Sequence, residues 1–241
     1  MLKAKIMLLF TGFEVTETDF NKIEKNGDDT ATRLLDAAEE LFAENGLNGT
    51  SSRDITSKAN CNLASINYYF NGKENLYHQV CKRRLKILRE IRIESIKSYM
   101  ASSGDKSTLE GLLFSFSDAF VSPLINKKSG PNIMKLIIRE MLYPQLPANM
   151  VFEEMVEPMT LALQDAMLKI CPDLKPKKAL WAIFSLVSQL IHLIHIEDIM
   201  PSEFEEKILA YDRREAIEHI VTFTSSAIRA SCGDEGVKQN A

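Results

Sequence analysis

Cysteine is scarce and badly spaced for structural work: Cys61, Cys81, Cys171 and Cys232 are scattered, with no Cys-x-x-Cys pair. That argues against a disulfide framework or a cysteine zinc site and fits a reducing cytoplasmic setting. Glycine (10) and proline (8) are also few in 241 residues. No stretch alternates polar and apolar residues over a strand's length, so strands are not expected. No run of about 18 uninterrupted apolar residues occurs, so neither a transmembrane helix nor a membrane partner is expected. No nucleophile–base pair or phosphate loop can be read, so the chain is not expected to be an enzyme, and no cofactor is assigned. Lys3 and Lys5 before Ile6–Phe10 have the charge order of an export signal, but the apolar run is short and no small-residue cleavage site follows. Residues 1–27 are read as a weakly ordered extension, or as the product of a start placed too far upstream.

What is present is helical spacing. Hydrophobic residues make up 45% of the chain and charged residues 26%, enough to bury a large core. An all-α fold is expected, with a small N-terminal module joined by a long helix to a larger C-terminal one. Leu34, Ala37, Ala38, Leu41 and Phe42 form one apolar stripe, with Asp36, Glu39, Glu40 and Glu44 mostly off it, and Asn45-Gly46 ends this helix. Ser51-Ser52-Arg53-Asp54 reads as the capped start of a second helix, Asn60-Cys61-Asn62 as its break, and Leu63–Phe70 as a short third helix. A long helix follows over 73–100. Further helices are expected at 106–122, 131–143, 148–170, 177–197 and 213–231, with Pro123, Pro144, Pro147, Pro172, Pro176 and Pro201 between them.

Two short helices joined by a three-residue turn, after a longer supporting helix, describe a helix-turn-helix. Leu63–Phe70 has the two turns that fit a major groove. Ser65 and Asn67 can hydrogen-bond bases or phosphates, and Tyr68 and Tyr69 offer hydroxyls and ring faces, while Ile66 and Phe70 anchor the opposite side. From Thr50 to Lys97 there are ten basic residues against four acidic, in a chain of net charge −4. That island is read as phosphate-neutralising. A three-helix bundle with an ordinary solvated basic face would show the same layout.

The stretch Thr30–Leu76 resembles the N-terminal domain of the TetR family. The resemblance is carried by Leu34–Gly46, Thr50–Ile55 and above all Ile66-Asn67-Tyr68-Tyr69-Phe70-Asn71-Gly72-Lys73-Glu74-Asn75-Leu76. Asn67 stands where many members have Tyr, Tyr69 where His is common, and Asn60 where Gly is usual. The resemblance implies a dimeric, ligand-responsive repressor of a palindromic operator. Ser52 and Arg53 would contact phosphate or a nearby base, Ser65, Asn67, Tyr68 and Tyr69 would lie in the groove, and Lys73 would grip phosphate. An activator of the same fold is the alternative, and a helical-bundle metal enzyme the rival from another class.

The expected division is 28–75 for DNA, 76–231 for effector binding and dimerisation, and 232–241 as a flexible tail. Ala179–Ile196 is apolar nearly all round, so this helix and the last one, with Ile217, Ile220, Val221 and Phe223, could form a four-helix interface between two copies. Simple core burial is the plainer reading. Phe116, Phe120, Met134, Ile138, Arg139, Glu140, Tyr143, Met155, Met159 and Trp181 are candidate lining residues for a small-molecule effector, although most such residues are ordinary core. Arg139-Glu140 stands out within an apolar stretch, and a structural salt bridge is its bland reading. The run Ile133–Pro144 also resembles the C-terminal domain of the CecR-like subgroup, which implies control of membrane-transport and drug-sensitivity genes. His192 and His195 share a helix face near Glu197 and Asp198 and could bind zinc. Ordinary hydrogen bonding is the plainer reading, and no metal is assigned.

Overall fold

The computed structural model describes residues 29–125, 130–199 and 212–233, with the side chains of Met141, 196–199 and Gly233 left aside. The expected extension 1–27 and most of the tail 232–241 lie outside the described residues; Cys232 and Gly233 end the last helix instead. Every regular element among the described residues is helical. The α-helices are α1 (Asp29–Gly49), α2 (Ser52–Lys58), α3 (Ala64–Phe70), α4 (Lys73–Ser103), α5 (Leu109–Ile125), α6 (Gly130–Leu142), α7 (Glu157–Ile170), α8 (Pro176–Ile199) and α9 (Arg213–Gly233).

Two cores are built on these helices. In the N-terminal one, Leu34, Ala38 and Phe42 of α1 meet Ile55, Ile66, Leu76, Tyr77 and Val80, all buried. Phe42 and Tyr77 pack edge to face with ring centroids 5.0 Å apart. Leu136 of α6 belongs to this same core, so the C-terminal half of the chain reaches into the N-terminal module. The larger core gathers α5, α7, α8 and α9 around Leu112, Phe116, Leu163, Met167, Leu186 and Ile217. Burying each such side chain contributes about 1.5–3 kcal/mol. Helix α4, 31 residues long, runs about 46 Å at 1.5 Å per residue and joins both cores.

Three features differ from the sequence expectation. Pro123 lies inside α5 rather than after it. It sits near the end of the helix, where its missing N–H removes a single bond in the closing turns. The helix expected over 148–170 contains a π-helical turn, Phe152–Val156, ahead of α7. And Pro176–His195 is long and apolar enough to cross a membrane by length and composition, because serine, glutamine and histidine interrupt its apolar run without adding formal charge. In this fold Ala179, Ile183, Leu186 and Leu190 pack inward, while Trp181, Phe184 and Ile191 face outward.

Candidate nucleic-acid interface

The α2–α3 unit is fixed by local hydrogen bonds at each end. Ser51 caps α2: its Oγ accepts from the Asp54 amide at 3.1 Å, and the Asp54 carboxylate accepts from the Ser51 amide, also at 3.1 Å. Hydrogen bonds from Ser51 hold the Asp54 carboxyl below its ordinary range, the Ser51 hydroxyl contributing most. At the other end Asn60 adopts a left-handed conformation, φ 53°. The Cys61 amide returns to the Thr56 carbonyl at 2.9 Å and the Asn60 amide to that of Ser57 at 3.2 Å. This is the Schellman arrangement, in which glycine takes the left-handed position at least cost. Arg33 of α1 clamps the turn by donating to the Ala59 carbonyl at 2.9 Å. Asn71, also left-handed, ends α3, and Gly72 at φ 119° starts α4 without a side-chain cap.

This frame decides which side chains face out. Ile66 is buried and Phe70 partly so, which leaves Asn67 exposed. The flanking pair, Ser65 and Tyr69, are both half-buried, Tyr69 packing against the N-terminal core. Tyr68 is 82% exposed, standing edge-on to Tyr69 with ring centroids 4.8 Å apart. A large aromatic side chain that exposed, on a helix of two turns, contributes almost nothing to the fold. On α2, Arg53 is exposed and Ser52 half-buried. Lys73 has a structural part: its ammonium donates to the carbonyls of Leu47 and Thr50, both at 2.9 Å, tying the start of α4 to the end of α1.

The basic island is much smaller than the count of residues suggests. Glu39 of α1 is buried and accepts from Arg83 at 2.8 Å and Arg84 at 2.7 Å, while Asp36 takes the second arm of Arg83 at 2.7 Å. Lys58 pairs with Glu40 at 2.5 Å, and Lys82 and Arg89 pair with Glu154 at 2.6 and 3.4 Å. Arg92 is buried. The acidic residues of α1 therefore neutralise much of the island. Arg53 makes no ion pair among the described residues.

The candidate effector residues are not brought together. Phe116, Phe120 and Met159 lie in the large core, and Met134 packs beside Leu88 and Leu124. Ile138, Tyr143 and Trp181 are exposed. Arg139 and Glu140 do not form the salt bridge of the plainer reading. Arg139 caps the end of α1 instead, donating to the carbonyls of Ala43 (3.2 Å) and Glu44. Its guanidinium sits where a Cβ on Gly46 would come within 3.1 Å, at the left-handed residue (φ 73°) that interrupts α1. Glu140 accepts from the Tyr77 hydroxyl and from the amides of Gln145 and Leu146. Burial and this carboxylate raise Tyr77 far above its ordinary range and push the Cys81 thiol up to about 12.

Sequence reasoning missed the cavity that does exist. It holds about 310 Å³ between α4, α6 and the segment from Pro144 to Met155, lined by Leu85, Leu88, Ile133, Ile137, Glu140 and Met155 among others. Of the candidate lining residues only Glu140 and Met155 reach it. A second, open groove of about 640 Å³ lies between α8 and α9 and includes His192 and His219. Among the described residues no three metal-ligating side chains cluster; Glu197 and Asp198 lie outside those whose side chains are described.

Two family models match the chain in succession. The tetR family of bacterial regulatory proteins matches residues 34–80, and the C-terminal domain of the HTH-type transcriptional dual regulator CecR matches residues 109–231, about half of the chain. The chain belongs to the tetR family, with a CecR-type C-terminal domain. The two matches divide where the structure does. The first begins at Leu34, a buried residue of α1, and ends at Val80 in the N-terminal core. The second begins at Leu109, the first residue of α5. CecR of Shigella flexneri is 28% identical over 138 residues, 55% of this chain and 60% of that protein. The biofilm operon icaADBC negative regulator IcaR of Staphylococcus epidermidis is 22% identical over 110 residues, 46% of this chain and 60% of that one. Each match thus spans somewhat under two thirds of the relative. A solved Pseudomonas aeruginosa PAO1 structure shares the fold with a TM-score of 0.63 at 14% identity, covering 84% of this chain and 91% of that one.

Proposed function

We propose that the chain is a cytoplasmic, dimeric DNA-binding transcription regulator whose operator affinity is set by a small molecule in its C-terminal domain. The observation that carries this reading is the outward face of α3 within a tetR-type helix-turn-helix. Asn67 and Tyr68 are free of core duties and sit on a helix short enough to enter a major groove. Ser65, Tyr69 and Arg53 flank them, Ser52 stands beside Arg53, and the uncapped first turn of α4 beyond Gly72 offers its amides to phosphate. Lys73 serves the backbone first and can reach phosphate only with its remaining N–H. Residues 28–75 act as the reading head and 76–231 as the sensing and dimerising part, with Leu136 and Arg139 linking them.

Two heads must be held together to read two half-sites about 34–36 Å apart. The outward stripe of α8, with Trp181 63% exposed, and that of α9, with Phe223 62% exposed, supply an apolar face on adjoining helices. Beside Phe223 on α9, Ser226 and Ala227 are small and exposed, which allows close helix approach. Repression is the favoured sign, as stated for IcaR by its name. The test is selection from random duplex DNA with the purified full-length protein. Enrichment of two-fold symmetric sites bound by a dimer supports the reading, and enrichment of nothing over the input pool rejects it.

A further inference from the structure

The largest fully buried side chain among the described residues is a cation. Arg92, in the second half of α4, is 2% exposed. Its Nη1 donates to the Met155 sulfur at 3.2 Å and its Nη2 to the Phe120 carbonyl at 3.3 Å, and its guanidinium lies 3.7 Å from the centre of the Phe120 ring. Nε has no partner. Arg92 forms no ion pair among the described residues, and burial alone lowers it to about 9. A sulfur, one carbonyl and a ring face are weak compensation, since buried charge ordinarily requires an opposite charge. Three hydroxyls of the C-terminal domain, Ser117 of α5, Thr160 of α7 and Thr224 of α9, are also buried without partners.

The 310 Å³ cavity and this guanidinium share Met155 as a neighbour. Leu88, one turn before Arg92 on α4, lines it, and so does Met155, the residue that receives the Arg92 N–H. Met155 lies within the π-helical turn Phe152–Val156, a distortion often found at functional sites. The same turn is held on α4 by Glu154, whose backbone carbonyl accepts from Arg89 at 2.8 Å. A flexible, unbranched side chain thus separates an apolar chamber from an uncompensated cation. The other charged groups of the chamber are already engaged: Glu140 by Tyr77 and two amides, Arg84 by Glu39.

We propose that the chamber and Arg92 form one binding site for a small amphipathic monocarboxylate, its apolar body in the cavity and its carboxylate on the Arg92 guanidinium once Met155 turns aside. At about 30 Å³ per heavy atom the chamber holds about ten of them. A single guanidinium, with no second cation beside it that lacks a partner among the described residues, suits one carboxylate better than a phosphate dianion. The proposal rests on the reading of residues 76–231 as an effector domain. An occupant would press on Leu136 and Ile137 of α6 and on Leu85 and Leu88 of α4, the two helices that carry the links to the DNA-binding head.

The probe is octanoate, with ten heavy atoms, against octan-1-ol, the same body without the charge. Both are titrated calorimetrically into the full-length protein and into R92M. Octanoate is expected to bind the wild type about tenfold or more tightly than octanol, and R92M to forfeit that advantage. Methionine suits the apolar surroundings, so the melting temperature of unliganded R92M should be equal or higher. If R92M does not fold, R92Q takes its place. Failure of octanoate to bind, equal binding of acid and alcohol, undiminished octanoate binding by the variant, or failure of both variants to fold overturns the proposal. Binding of wild type and variant to selected duplex DNA is measured alongside. If both bind DNA but are indifferent to octanoate, the carboxylate site alone is wrong. If neither selects any DNA, the regulator reading is wrong, whatever the acid does.

Discussion

Asn60 shows how one side chain can be both tolerated and suboptimal. Its φ of 53° is a conformation that costs most L-residues about 1–2 kcal/mol, asparagine less and glycine least. N60G should therefore stabilise the protein by a few tenths to about 1 kcal/mol, read from urea denaturation midpoints at unchanged slope. A destabilised variant would mean that the Asn60 side chain supports the turn in some other way. Cys81 and Tyr77 make the second residue-scale prediction. Both are held neutral in the folded state, so the deprotonated forms favour unfolding. Their contribution is complete below about pH 9, the ordinary thiol value, and drains away as pH rises toward the folded value of about 12 for Cys81. In the native protein at pH 8.5, Cys81 should resist iodoacetamide while the less buried Cys61 reacts, as peptide mapping would show. Equal labelling of the two would contradict that burial.

At the scale of elements, most of the structure is legible in the sequence and the electrostatics is not. Helix boundaries follow from local signals: the Leu34–Phe42 stripe, the Ser51–Asp54 cap, and the left-handed Asn60 and Asn71 all act within a turn of chain. The ion pairs do not. Nothing in sequence says that Glu39 lies opposite Arg83 and Arg84, 44 and 45 residues away, or that Arg139 caps a helix more than ninety residues before it in the chain. The basic island is real as a count and too simple as a surface, because charge on a chain becomes charge on a surface only after packing has paired it. The cavity is illegible for the same reason, being formed by α6 folding back on α4. Glu39 gives this level its test. It is buried with two guanidinium partners, so E39A should cost about 3–5 kcal/mol by leaving both cations short of a counter-charge. Thermal and urea unfolding measure this. A loss under about 1 kcal/mol would show the network to be solvated in solution.

For the whole molecule, two cores share one long helix. Leu136 lies in the N-terminal core, Arg139 holds the end of α1 and Glu140 holds Tyr77 of α4, so α6 cannot move without disturbing the frame that presents α3. An effector domain would need such a connection, since a ligand shifts an equilibrium only through differential contacts in the two states. Dimerisation belongs to the same scale. Replacing Trp181 and Phe223 by Asp should yield monomers by analytical ultracentrifugation with helical content retained. Persistence of the dimer would place the interface elsewhere.

Whether the outward face of α3 reads DNA is decided by the affinity of an N67A/Y68A variant for the duplex recovered by selection with the wild-type protein. Fluorescence anisotropy at fixed salt, beside thermal unfolding of both proteins, separates recognition from folding. Because Tyr68 is 82% exposed, the melting temperature should be unchanged. Affinity should fall by about tenfold or more, since each specific interaction with a base is worth about 1–3 kcal/mol. Binding as tight as wild type by a folded variant would contradict that role for α3.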